Sequence, residues 1–389
     1  MRTLLSQGAY HGGGMSLETV EMARSSGAGV HQLAATAQTC SWGFFDRSLP
    51  PVLRVRSGDV VYLETLTHQA GDAPDLLMDD GVRAVYQAIP PDQRGPGVHI
   101  MTGPVFVEGA MPGDTLEVRI LEISPRLAYG TNIAAWWGYL YADFRKERIT
   151  IYEIDATRRL ARAAFAFDFT AAPLSTQPGI LSPLVPGSRE AVMRNIVVPP
   201  RPHLGVMGVA PGEAGRFNSI PPAAFGGNID NWRIGPGARM YYPVFNEGAL
   251  FFAGDPHMAE GDGELSGTAL EASANVWLQL IVRKDFPIVN PLLETPSHWY
   301  THGFSSNPPP AMGPSLASDV GFPPPGDLNE AMRQAANEML EFLTRMKQLS
   351  RDEAYSLMSV AADFGVTQVV DIRQGVHCGI PKDVFVAAT

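Results

Sequence analysis

Short runs of alternating apolar and polar residues, cut by glycine and proline, dominate the chain. Leu53 and Val55 alternate with arginines, Gly58-Asp59 interrupts, and Val61 and Leu63 resume with Tyr62 and Glu64 outside the apolar row. A period of two is that of a strand whose side chains point to opposite faces, so this stretch predicts a strand–turn–strand unit or β-hairpin. Residues 103–123 repeat the arrangement, with a turn at Pro112 to Asp114 and a strand through Leu116, Val118 and Ile120. RIGPGARMYYPVF at 233–245 is a weaker third echo. The modules predict a mainly β chain, built as β-sandwich or barrel-like units.

Helical spacing comes late. Leu328, Met332, Ala335, Met339, Leu343 and Met346 recur at three- and four-residue intervals, the apolar stripe of an amphipathic helix. A methionine stripe at that spacing is core packing rather than a cofactor box. Ser350 and Glu353 have the S-x-x-E spacing of a capping box and start a second helix through Ala361. VTQVVDI at 366–372 then predicts a returning strand, which makes the C-terminal part a smaller α/β (α+β) unit. The expected organisation is an N-terminal arm over 1–30, a β-rich domain over 31–200, a second β-rich part over 201–295 carrying the site motifs, and the α/β unit over 296–389. Residues 68–98 break the strand pattern with acidic, Gly and Pro punctuation. They predict an insertion or lid-like loop with one short helix near Val82 to Ala88.

Composition narrows the partners. The 39 glycines and 33 prolines fit short strands joined by turns better than a bundle or doubly wound sheet. Forty acidic against 29 basic residues give a formal charge of -11, and no Lys/Arg block stands out. That argues against a nucleic-acid or anionic-membrane surface and for a small-molecule partner. No segment approaches the ~18 apolar residues of a membrane span, and MRTLLSQGAYHGGGM lacks the apolar core of a signal peptide. Cys40 and Cys378 match no C-x-x-C or zinc-finger spacing and fit a reduced, cytoplasmic protein.

Candidate chemistry gathers in GALFFAGDPHMAEGDGELSGTALE, residues 248–271. Asp255 and His257 stand two apart, as do Asp262 and Glu264, so an extended backbone projects each pair to one face. GDGELSG has the wrong glycine spacing for a dinucleotide fingerprint, and G-x-S-x-G, H-E-x-x-H and Walker patterns are missing. What remains is an acid and imidazole constellation on several loops: His99, His203, Asn228, Asp230, Asp255 and His257. Neutral imidazole with carboxylate oxygen is a ligand set that zinc accepts. Any single His or Asp in a Gly-rich loop is more often a turn or hydrogen-bonding residue than a ligand. Asn228 fits a left-handed turn, and Asp230 fits a cap on the residues near Trp232. Glu264 is the first candidate for a general base that passes a proton to a leaving nitrogen, with Glu260 the second. His203 and Asn228 are the candidates for substrate binding. A salt bridge on a strand edge is the plainer role for Glu264.

The combination of HIMTGPVFVEGAMPGDTLEVRILEI (99–123), HLGVMGVAP (203–211), SIPPAAFGGNIDNWRIGPGARMYYPV (219–244) and residues 248–271 resembles the acetamidase/formamidase family. The resemblance extends over about residues 31–389, through YTHGF (300–304) and DEAYSLMSVAADFGVTQVVD (352–371). It implies hydrolysis of a linear carboxamide to carboxylate and ammonia, a divalent metal of which zinc is the first choice, and a homo-oligomeric enzyme. Carried onto this chain, the metal role falls on His99, Asp230, Asp255 and His257. Two positions depart from the family's common pattern: Ser41 stands where T-V-H-W-G-F-F-D has its histidine, and Glu260 stands where H-x-x-Q-G-D-G-E has its glutamine. Both departures bear on metal affinity, and Glu260 adds an acceptor and a negative charge where an amide NH2 would be selected. The alternative reading they motivate is a catalytically silent or substrate-drifted binding protein on the same fold.

Overall fold

The computed structural model describes residues 27–135, 137–140, 142–169, 189–306 and 326–386. The expected arm over 1–30 lies outside these residues except for its last four. Among the described residues, twenty-one strands follow in chain order. The first ten are β1 (Val30–Leu33), β2 (Cys40–Trp42), β3 (Phe44–Phe45), β4 (Leu53–Arg56), β5 (Val60–Thr65), β6 (Ile100–Glu108), β7 (Thr115–Pro125), β8 (Tyr129–Ala134), β9 (Glu147–Asp155) and β10 (Leu160–Phe169). Then come β11 (His203–Val209), β12 (Phe217–Asn218), β13 (Gly226–Asn228), β14 (Arg239–Pro243), β15 (Phe251–Ala259), β16 (Leu270–Glu271) and β17 (Ala274–Arg283). The last are β18 (Leu292–Glu294), β19 (His298–Phe304), β20 (Asp363–Val366) and β21 (Gly375–Pro381). The helices are α1 (Pro74–Leu77), α2 (Asp80–Ala88), α3 (Leu328–Met346) and α4 (Arg351–Ala361).

Two large sheets carry the fold. One has nine strands in the order β1-β5-β17-β7-β14-β18-β19-β21-β20; the other has ten, with β10-β9-β8-β16-β15-β11-β13 in line and β6 joining β15 to β2 and β4. The alternation seen in the sequence explains how they pack. Leu116, Val118 and Ile120 of β7, Val61 and Leu63 of β5, and Leu278 and Leu280 of β17 turn inward from the first sheet. Met101, Val105, Val206, Phe251 and Phe252 meet them from the second. The two halves of the predicted strand–turn–strand unit do not pair with each other: β4 runs parallel to β6, while β5 lies between β1 and β17. The turn moves the chain between sheets instead of closing a hairpin.

Residues 68–98 form part of the core rather than a loop over it. Ala70, Ala73, Leu77, Val82 and Val85 are buried together with Ile133, Ile149 and Ile151 of β8 and β9. Asp79 caps α2 by accepting from the Val82 amide, which starts the helix where the sequence placed it. At the C-terminus α3 buries Ala331, Ala335, Met339 and Leu343 against β19, β21 and α4, and the Ser350/Glu353 capping box is formed. The predicted strand over 366–372 ends at Val366. Beyond it the Gln368 carboxamide oxygen accepts from the amides of Val370 and Asp371, a local turn that competes with the ladder and aims Asp371 inward.

β15 is the central strand of this arrangement, with all nine residues buried between β11 on one side and β6 and β16 on the other. Phe252 is fully buried beside Phe45, with ring centroids 5.3 Å apart. Phe252→Ala removes that packing and is expected to destabilise the protein by about 3–5 kcal/mol in urea unfolding.

Candidate active site and metal centre

The centre is a consequence of strand register. On β15, His257 pairs directly with His203 of β11 on one side and with Glu271 of β16 on the other. Glu271 in turn faces Thr131 of β8, whose hydroxyl donates to Asp72 at 2.8 Å. A polar row therefore crosses four strands inside the protein. All of His203, His257, Glu271, Thr131 and Asp72 are buried.

His257 is the hub. Its Nδ1 lies 3.0 Å from His203 Nε2, 3.3 Å from Glu260 Oε2 and 4.0 Å from Asp230 Oδ1. Its Nε2 lies 3.1 Å from Asp255 Oδ2 and 3.3 Å from Glu271 Oε1. Burial opposes a charge on this ring, but Glu271 and Asp255 outweigh it and hold the His257 pKa well above its ordinary value. His203 spans the Arg201 carbonyl oxygen (Nδ1, 2.6 Å) and Glu260 Oε2 (Nε2, 2.7 Å). The carbonyl accepts only, so Nδ1 donates to it and Nε2 faces the carboxylate.

A second group stands beside Asp255. His68 Nδ1 is 3.8 Å from Asp255 Oδ1, and His99 Nε2 is 3.6 Å from Asp255 Oδ2. Burial pushes both imidazoles down to about 4, so at neutral pH they are uncharged and keep a lone pair. Ser219 Oγ lies 2.9 Å from His99 Nδ1 and fixes the ring; with Nδ1 as donor, Nε2 presents its lone pair toward Asp255.

On the far side of His257 the carboxylates crowd one another. Asp230 and Glu264 are both pushed well above the ordinary carboxylate range, by burial first and then by their acidic neighbours, Glu264 and Asp371 for Asp230 and Asp371 and Glu260 for Glu264. Burial likewise pushes Asp371 up to about 7, although its contact with Asp230 works the other way. Asp255 moves below the usual range: burial resists, but His99 and His257 prevail. Both Asp230 carboxylate oxygens, and one each on Asp255, Glu260, Glu271 and Asp371, are buried with no hydrogen-bond partner. Leaving a buried carboxylate ionised and unpaired costs several kcal/mol.

The site residues predicted from sequence are all buried, and all except Asn228 are brought together at this centre, although they divide between its parts. His99 and Asp255 join His68; Asp230, His257 and Glu264 form one group within metal-ligand reach, and His203, His257 and Glu260 another. Asn228 is buried on β13 opposite Val206, with its carboxamide oxygen unpartnered. Ser41 is buried too, and its hydroxyl donates to the Phe44 carbonyl at 3.0 Å. Sequence reasoning did not single out His68, Glu271, Asp371 or Asp72. The signal available for three of them was an acid set among apolar or small residues, as in TALEAS around Glu271, VVDI around Asp371 and QAGDA around Asp72. His68 had no signal beyond its place after the apolar run of β5.

A divalent cation fits these residues. Beside Asp255 the donors are the neutral imidazole nitrogens of His68 and His99, while in the groups that share His257 a cation would have to displace the proton its raised pKa keeps; several carboxylate oxygens lack any partner, and the ligand atoms of each group lie within 4.8 Å of one another. The backbone makes room as well. A Cβ on Gly205 would stand 2.6 Å from Asp255 Oδ2 and 2.7 Å from His257 Cε1, and would run into Asp230 Oδ1. Three of the acids sit in the left-handed region: Asp230 at φ 48, Asp255 at φ 51 and Glu264 at φ 44. Such conformations cost about 1–3 kcal/mol each and persist where the surroundings enforce them, which they do at functional sites.

Two large sheets thus carry a buried centre of acids and imidazoles. The chain belongs to the Acetamidase/Formamidase family, whose sequence pattern matches residues 32–216 and 213–387. It is 25% identical over 379 residues to a formamidase of Methylophilus methylotrophus, covering 87% of each chain. It is 29% identical over 203 residues to an acetamidase of Mycolicibacterium smegmatis, covering 43% of this chain and 49% of that one. The crystal structure of an acetamidase from Bacillus halodurans superposes with a TM-score of 0.69 at 26% identity, covering 91% of this chain and 98% of that one.

Two outcomes follow from the geometry. Gly205→Ala presses a methyl group into three site side chains and is expected to cost about 1–3 kcal/mol in urea unfolding. Asp72, raised to about 7 by burial and by Glu147 and Glu271 against the Thr131 hydrogen bond, gives a pH signature. An acid whose folded pKa exceeds its unfolded value stabilises fully below the unfolded value and loses that contribution as pH rises through the folded one. Asp72 therefore contributes a loss of stability between about pH 4 and 7 in metal-free protein, while His68 and His99, lowered to about 4, act in the opposite direction over the same range. Thermal melts of the protein and of Asp72→Asn isolate the Asp72 part: the stability difference between the two should shift with pH across that range in the direction of a relative gain for Asp72→Asn.

Proposed function

We propose that this protein hydrolyses the C–N bond of a linear carboxamide to a carboxylate and ammonia, with the assistance of a divalent metal, zinc first. The observation that carries the reading is the meeting of His99, Asp230, Asp255, His257 and Glu264 in one buried region of a chain that belongs to this family. Its relatives' names, formamidase and acetamidase, make small neutral amides the reference substrates.

His99 and Asp255, with His68 beside them, would hold the metal, and His257 and Asp230 complete the predicted ligand set. The metal would supply a positive charge that polarises the amide carbonyl and favours deprotonation of water. The protein's own residues do the rest. Burial excludes bulk solvent, which strengthens each charge–dipole contact on the substrate. His203 and Asn228 are the residues we assign to substrate binding, and the buried, unpartnered Asn228 oxygen is an acceptor suited to an amide NH2 group. Glu264, once ionised, would take the proton of the attacking water and then pass it to the departing nitrogen, and its raised pKa favours keeping that proton until the transfer. Glu260 fixes His203 and so orients that side of the site.

Small amides are neutral, so a centre this acidic accepts them without charge repulsion, while their carboxylate product is repelled. The two unpaired cysteines fit a reduced, cytoplasmic setting. No described helix is long and apolar enough to cross a membrane. The chain is read as a homo-oligomer on the strength of the family resemblance alone.

Ammonia release from formamide and acetamide, measured after chelation and again after adding back zinc, tests the reading. Activity is expected to fall on chelation and return with metal, and no turnover in any metal state would sink it. Glu264→Gln should lower kcat by about 10²–10⁴-fold with an unchanged circular dichroism spectrum. An unchanged rate would remove Glu264 from proton transfer.

A further inference from the structure

Three of the acids around His257 come from segments far apart in the chain: Asp230 follows β13, Glu264 lies between β15 and β16, and Asp371 lies between β20 and β21. Asp230, His257 and Glu264 present ligand atoms within 4.8 Å of one another. Carboxylates this close repel when ionised, so the segments that carry them need a restraint from outside the centre. The backbone of the Glu264 turn is a poor source of it. Asp262 stands between Gly261 and Gly263, and Gly263 lies in the left-handed region at φ 101, so the turn is flexible unless a side chain anchors it.

That anchor is Asp262. Its carboxylate accepts three hydrogen bonds from the segment that carries Asp230: from Arg233 Nη1 at 2.8 Å and Nη2 at 3.2 Å, a two-pronged pairing, and from Trp232 Nε1 at 2.9 Å. The Asp230 segment is fixed in its turn. The Arg233 amide donates to Asn231 Oδ1 at 3.2 Å, and the buried Asn231 donates from Nδ2 to His302 Nε2 at 3.2 Å. Arg201 extends the same layer: its guanidinium donates to the Glu260 carbonyl at 3.3 Å and lies 4.2 Å from the centre of the Trp232 ring, over which Arg233 lies at 4.3 Å. On the other flank the Gly263 amide donates to the Thr367 carbonyl at 2.9 Å and the Val369 amide donates to the Gly263 carbonyl at 3.1 Å, which joins the Glu264 turn to the segment leading to Asp371. Each member of the layer is close in sequence to a residue of the centre. Arg201 precedes His203 by two positions, Arg233 follows Asp230 by three, and Asp262 stands midway between Glu260 and Glu264.

We propose that Asp262, gripped by Arg233 and Trp232, is a positioning residue: an outer clamp that sets the separation of Asp230 and Glu264, and with it the metal affinity of the centre and proton transfer by Glu264. The proposal rests on the metal-assisted amidase reading above. The Asp262 side chain is 42% exposed, so its truncation opens no cavity in the core. Asp262→Ala is expected to weaken zinc binding by roughly tenfold in chelator competition and to lower kcat for formamide by a similar factor, with KM changed less. Asp262→Asn keeps an acceptor oxygen for the clamp and should recover part of both losses. Arg148→Ala breaks an ion pair of the same length, 2.8 Å to Asp168, whose members belong to none of the site groups, and should change neither quantity. Unchanged zinc affinity in folded Asp262→Ala, or an equal loss in Arg148→Ala, overturns the proposal. Should Asp262→Ala lack a cooperative melt, Trp232→Phe, which removes one donor to Asp262 and keeps an aromatic ring, decides by the same zinc measurement. If the unaltered protein binds zinc but hydrolyses no amide, the amidase reading fails separately and the zinc affinities alone decide the clamp. If it binds no zinc, hydrogen exchange decides: faster exchange over both 229–234 and 261–267 in Asp262→Ala supports the clamp, and unchanged exchange overturns it.

Discussion

Everything at this centre depends on one buried imidazole held between opposed carboxylates. His257 touches Asp255 and Glu271 through one nitrogen and Glu260 and His203 through the other. Neither side could be assembled by neighbours in sequence alone. The register of β11, β15 and β16 sets three of these groups abreast, and a slip of one residue would turn them to the other face of the sheet. The apolar interior between the sheets is what pins that register. Phe251, Phe252, Met101 and Val206 leave β15 and its neighbours a single way to lie.

The centre is costly to build, and its cost explains its surroundings. Crowded carboxylates without partners, and acids in left-handed backbone, each draw on stability supplied elsewhere. A large two-sheet core with a further buried cluster over residues 68–98 supplies it. A cation at the centre would convert the electrostatic part of that cost into binding free energy, because the same oxygens that repel one another attract it. The glycine at position 205 has the same logic in steric form: the side chains it lets in are those that a methyl group would expel.

The sequence was legible where periodicity and local chemistry decide the outcome. The alternation in β5 and β7, the stripe of α3 and the Ser350/Glu353 capping box all stand where the pattern placed them. It was less legible where tertiary contacts decide. The strand expected through Asp371 stops at Val366 because Gln368 offers the backbone a competing partner, and the segment from His68 reads as loop although it is core. The candidate residues were singled out because acids and histidines stand out among glycines, although Asp255, His257, His203 and Asn228 lie on strands rather than on the loops expected. Glu271, Asp371 and Asp72 were missed because an acid inside a small or apolar run is inconspicuous until its strand partner is known, and His68 because nothing local marks it. Nor does local sequence show that Glu264 lies at φ 44, a conformation for which glycine would be the usual choice.

The two ends of the centre, His68 and Asp371, are separated by most of the chain. At synthesis rates of about 5–20 residues per second, the roughly 300 residues between them take on the order of 15–60 s to emerge. Through that interval the ribosome-bound chain holds His99, His203 and His257 with no completed centre to receive them. The last acid, Asp371, comes from the turn between β20 and β21, so the set of acids around His257 is complete only when the C-terminal strands have been made.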